Sequence, residues 1–186
     1  MSEVNKEFIE FGNKMFILFI LAIISAVAGF IGWAVPAVGF INLILVIVYF
    51  VFLILARGHI INANNSLNNE DLESFCKRII VAIVTSIIGL FFFTIAMVLF
   101  QTNAWILGIP IVIVAIILLI IALIFDILAW SDMKGFFRDN KSMFPEDKAK
   151  NAETGSLLMM LGALPLVGFI LRIIGSYFLS QLKDLE

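Results

Sequence analysis

Residues 104–129 read AWILGIPIVIVAIILLIIALIFDILA, a stretch in which Asp126 is the only charged residue. Its reading decides the fold class. About 20 apolar residues in a helix cross roughly 30 Å of hydrocarbon, and a helix pairs its backbone N–H and C=O groups within the segment. Three further runs, 15–35, 37–56 and 79–100, carry no charge at all. A fifth, 157–179, is long enough but contains Pro165 and Arg172.

Composition agrees with these runs. Of 186 residues, 62% are hydrophobic and 14% charged, with a mean hydropathy of +1.12. A soluble domain carries about 45–50% apolar and roughly 25% charged residues. The expected architecture is therefore all-α: a polytopic transmembrane helical bundle forming one domain over 1–186. The net charge of −2, from 12 Lys/Arg and 14 Asp/Glu, leaves no basic footprint for nucleic acid. One cysteine, Cys76, makes no internal disulfide, and one histidine, His59, builds no metal site alone. No metal or cofactor is expected.

The links between the runs are unequal. Pro36 alone separates the first two, and Gln101-Thr102-Asn103 separates the third and fourth, so both pairs are tight helical hairpins. The other links, 57–78 and 130–156, are polar. Lys6, Lys14, Arg57, Lys77, Arg78, Lys134, Arg138, Lys141, Lys148 and Lys150 all fall before the first run or in the long links. Cationic side chains stay on the cytoplasmic face of membranes, which puts the N-terminus and both long links there. The first run is read as a span rather than a cleaved leader, because it continues to Val35 and is preceded by Glu3, Glu7 and Glu10. Trp33 and Trp105 fall near the outer turns and Trp130 near the inner boundary, where indole rings prefer to sit.

Within the first long link, five asparagines (62, 64, 65, 68 and 69) predict a turn-rich loop. Asn69 ahead of Glu70, Asp71 and Glu73 predicts an N-cap with acids in the first turn. Pro145-Glu146-Asp147 predicts a helix start in the second link, with breaks at Gly135, Asn140 and Gly155. Phe8, Phe11 and Met15 share one helical face, which predicts a leader helix lying at the membrane interface or docking a partner.

The motif AVPAVGFI at 34–41 returns as ALPLVGFI at 163–170, identical at six of eight positions. If the second copy turns the chain as the first does, the C-terminal run is a short re-entrant hairpin. Otherwise it is one span kinked at Pro165. Five full spans is the reading adopted, with the hairpin as its alternative. The Pro36-x-Val38-Gly39-Phe40 turn, the acidic loop leading into RIIVAIV (78–84) and SIIG (86–89), and the Gly162-x-x-Pro165-x-x-Gly168-Phe169-Ile170-Leu171 stretch are similar to those of small archaeal and bacterial multi-pass membrane proteins of unknown function. That resemblance implies a helical membrane fold and transfers no catalytic residue.

Ionisable groups in hydrocarbon are costly unless paired or hydrated, so they mark candidate sites. Asp126 and Arg172 are the two, and Asn42 is a milder one. Asp126 is shallow enough to reach water or to meet Arg57 or Lys134. In the five-span reading Arg172 snorkels outward, whereas in the hairpin reading it becomes a partner for Asp126. Thr85, Ser86 and Thr94 are expected to bond between helices. His59 is expected to be solvated and Cys76 inert. No Gly-x-Ser-x-Gly, paired-carboxylate array or Cys–His spacing suggests catalysis. The expected role is non-enzymatic association with membrane lipids, with further copies of itself or with a larger membrane complex. The alternative is a small oligomeric transporter or channel subunit using Asp126 and Arg172.

Overall fold

A computed structural model describes residues 2–32, 36–163 and 168–185; the side chains at 32, 36–40, 42 and 43 lie outside that description. The described residues are all-α. The helices are α1 (Glu3–Gly32), α2 (Pro36–Leu67), α3 (Glu70–Gln101), α4 (Trp105–Asp139), α5 (Glu146–Leu161) and α6 (Gly168–Ser180), with 3₁₀ turns at Lys141–Met143 and Gln181–Asp184. They pair as three hairpins: α1 with α2, α3 with α4, and α5 with α6. In addition α4 packs on α5, α2 on α3, and α6 on α1, so the six helices close into a ring.

α1 through α4 are long and apolar enough to cross a membrane. Their large side chains divide the molecule into two storeys. Along 20–31, 41–55, 81–98 and 105–128, isoleucines, valines and phenylalanines stand open, with Phe30 and Ile106 each 88% exposed. Beyond that belt lies a close-packed core of Phe8, Phe11, Ile60, Leu72, Phe75, Trp130, Met133, Phe136, Phe137, Phe144 and Leu182. Phe8 stacks on Phe136 at 5.6 Å between ring centres and meets Phe144 edge-on at 5.0 Å. Phe75 meets Trp130 at 5.3 Å. Tilted and edge-on contacts of this kind suit the aromatic quadrupole.

This core revises several sequence expectations. Phe8, Phe11 and Met15 are fully buried, and α1 is continuous. The leader is therefore the first part of the α1 helix, its apolar face covered by the molecule's own aromatics, and it neither lies flat nor waits for a partner. α2 continues helical through Asn62, Asn64 and Asn65, because Ile60 and Ala63 on the same helix are buried in the core and packing outweighs local turn preference. The link shrinks to Asn68, in the left-handed region at φ 48°, and Asn69. Asn69 caps α3 as expected, its side-chain oxygen accepting from Asp71 N at 3.0 Å and Leu72 N at 3.2 Å. α5 begins directly after Pro145, also as expected. Gly135 and Gly155 break nothing; both lie inside helices.

The largest revision concerns 157–179. A single Pro-kinked helix is not found: α5 ends at Leu161, Gly162 and Ala163 form a turn, and α6 starts at Gly168. Pro165 itself lies outside the described residues. The two arms fold back on each other so closely that a Cβ on Gly155 would stand 2.9 Å from the Gly175 carbonyl oxygen. Residues 20 positions apart in one helix would lie about 30 Å apart. At about 24 Å and 20 Å, α5 and α6 are each shorter than the roughly 30 Å hydrocarbon layer. The chain then returns to the aromatic core. Leu182 is buried, the backbone of Leu182 and Lys183 lies against Gly12 of α1, and the Lys183 ammonium sits 3.9 Å from the centre of the Phe16 ring. The segments near both ends of the chain thus lie at one end of the bundle.

Gly155→Val should force the α5–α6 contact apart and lower stability by about 1–3 kcal/mol. Gly58→Ala, where an added Cβ meets nothing within 4 Å, should leave the melting temperature in detergent unchanged or raised.

Candidate functional site

Two turns of α4 carry the polar centre. Asp126 and Trp130 are four residues apart on one helix face, and the indole Nε1 donates to Asp126 Oδ1 at 3.2 Å. The other carboxylate oxygen accepts from Nη2 of Arg172 on α6. Arg172 Nε donates to the Gly162 carbonyl oxygen at 3.0 Å. Gly162 is the C-cap of α5, and the last carbonyls of a helix have no partner within it and carry its negative dipole end. The guanidinium is thereby held between a carboxylate and a helix C-terminus. Glycine is needed at 162 because a Cβ there would collide with Arg172 Cγ.

Asp126 is 8% exposed, so its charge is compensated inside the protein. Buried charges persist where they are paired and hydrogen-bonded. Arg172 also borders two small cavities. One, about 160 Å³, is lined by Phe50, Ser86, Ala122 and Asp126 as well. The other, about 240 Å³, is shared with Leu21, Val46, Tyr49 and Phe50. The Tyr49 hydroxyl is buried there beside the Arg172 guanidinium.

Of the sequence candidates, Asp126 and Arg172 are brought together across α4 and α6. The side chain of Asn42 lies outside the described residues. Neither alternative cation meets Asp126. Arg57 Nε donates instead to the Cys76 carbonyl oxygen at 2.7 Å, and Lys134 lines a cleft elsewhere. Thr85 and Thr94 bond back within their own helix, to Val81 O at 2.7 Å and Leu90 O at 2.8 Å, which corrects the interhelical expectation. His59 is paired rather than solvated, its Nδ1 lying 2.8 Å from Glu7 Oε2. Cys76 is a buried free thiol. Sequence reasoning missed Tyr49 and the Gly162 carbonyl, which no linear spacing relates to Arg172. The four-residue step from Asp126 to Trp130 was a signal that could have been read.

A second ion pair, Arg78 Nη1 to both oxygens of Asp132 at 2.6 and 2.8 Å, ties α3 to α4 beside the aromatic core. Among the described residues no group of three or more His, Cys, Asp or Glu side chains could hold a metal ion. No family model matches the chain, and neither does any curated protein or solved structure.

Arg172→Leu should strand the Asp126 carboxylate and cost about 3–5 kcal/mol. Adding Asp126→Leu should restore much of that loss. Thermal unfolding of the two single variants and the double variant checks the pattern, and additive losses would refute a coupled pair.

Proposed function

We propose that this chain is a multi-pass integral membrane protein that works by association rather than catalysis, with both termini in the cytoplasm. In this reading α1–α4 cross fully, and α5–α6 is a short hairpin entering from the cytoplasmic side. The observation that carries it is the division into an open apolar belt and a buried aromatic core at the charged end, where both chain ends lie. A patch of exposed apolar side chains of this extent is matched by lipid. Ten of the twelve Lys/Arg lie in segments at the core end, and Lys183 now joins them, in keeping with the retention of cations inside.

This placement explains why Arg172 is where it is. A turn inside hydrocarbon leaves carbonyls that no water satisfies, and such a turn is tolerated only where protein supplies the partners. Arg172 supplies one to Gly162, and Asp126 neutralises the cost of putting Arg172 there. The pair's hydrogen bonds run inward, to Trp130, to Gly162 and to each other, which supports a structural tie. The surfaces left for function are the belt and the cytoplasmic face, and the partners are lipids, further copies or a larger membrane complex.

A second reading, an oligomeric transporter or channel subunit, draws on the two cavities flanking Arg172. A reporter fused after Glu186 should give a cytoplasmic signal, whereas an external one would reinstate five spans. In proteoliposomes, Asp126→Asn and Arg172→Gln should leave ion and solute flux unchanged. Flux lost with either substitution would favour transport over association, and so would a chain that purifies from native lipid as a lone monomer without partner or bound lipid.

A further inference from the structure

Where α4 leaves the belt, a cleft of about 680 Å³ opens between α4, the 141–143 turn and α5. Specific small-molecule pockets span about 300–1,000 Å³. Three lysines that are distant in sequence converge on it. Lys134 is one turn past Trp130 on α4, Lys141 is on the 3₁₀ turn, and Lys150 is on α5. Ser142 and Thr154 add hydroxyls, and Leu157 forms an apolar wall. Two acids share the lining, Glu146 and Glu153. Glu153 is engaged by Lys141 at 3.0 Å, while Lys134 and Lys150 make no ion pair among the described residues. Two unengaged ammonium groups thus face one unengaged carboxylate. The linear charge count of the 130–156 link, five basic against five acidic residues, conceals this local excess.

We propose that this cleft binds the phosphate headgroup of an anionic membrane lipid. The assignment deepens the lipid-association reading and rests on it, because that reading puts Lys134 at the level of the inner headgroups. Basic pockets between helices at the cytoplasmic boundary recognise anionic headgroups by this chemistry. The lysines and hydroxyls meet the phosphate oxygens, and the Leu157 wall leads the glycerol end toward the acyl layer.

The test uses the full chain in mild detergent, with binding read by native mass spectrometry against three probes: short-chain phosphatidylglycerol, phosphatidylcholine of the same chain length, and sn-glycerol 3-phosphate. Wild type should retain phosphatidylglycerol about fivefold or more over phosphatidylcholine. Lys134→Gln with Lys150→Gln should bring that ratio to about one at an unchanged melting temperature. Lys77→Gln, on the exposed pair with Glu73, should leave it intact. Equal retention of the two lipids by wild type overturns the proposal, as does a preference that survives the double substitution. Glycerol phosphate binding as tightly as the lipid, and lost in the double variant, would keep the phosphate chemistry but overturn the lipid source. Failure of the membrane reading is seen separately, as a chain that stays dispersed without detergent.

Discussion

The Arg172 guanidinium, bonded at once to Asp126 of α4 and to the last turn of α5, is the contact on which the arrangement of the C-terminal third depends. A chain that reverses direction after Leu161 must satisfy the carbonyls the helix leaves behind. A cation does this well, because it meets both the oxygen and the negative end of the helix dipole. The cation in turn requires an anion, and Asp126 is placed to provide it. Each member of the set is costly alone, and together they form a neutral, hydrogen-bonded unit that fixes α5 and α6 against α4.

Around this tie, small residues let backbones approach. Gly155 and Gly175 allow α5 and α6 to touch, and Gly12 admits the returning C-terminus to α1. Close packing at small residues, together with polar contacts, is what holds helices together where burying apolar surface between them gains little. The core end follows the other rule. There Phe8, Phe136, Phe137 and Phe144 bury their rings as in a water-soluble domain, and the hydrophobic effect operates in full. The same continuous helices thus carry an open apolar belt at one end and a close-packed aromatic core at the other.

The helical class and the pairing of α1 with α2 and of α3 with α4 were legible in linear sequence, because uninterrupted apolar runs joined by short links admit little else. Pro36, however, opens α2 instead of forming the link by itself. The caps at Asn69 and Pro145 were equally local and equally readable. The Asn-rich segment was misread because side chains outside it, not its own turn preference, decide its conformation. The leader was misread for the same reason: amphipathy shows that a face will be covered, and not by what. At the polar centre the residue types were visible and the partnership was not. Asp126 and Arg172 are 46 positions apart, and whether they meet depends on the direction of the chain between them.

The sequence by itself determined how much of the chain can bury its backbone in oil, since that depends only on run length and side-chain polarity, both local quantities. Tertiary structure alone decided that 146–180 doubles back, that both ends of the chain share the aromatic core, and that three scattered lysines face one cleft. Those outcomes depend on backbone-to-backbone clearance at single glycines and on pairing energies between distant charges, which exist only once the helices stand side by side.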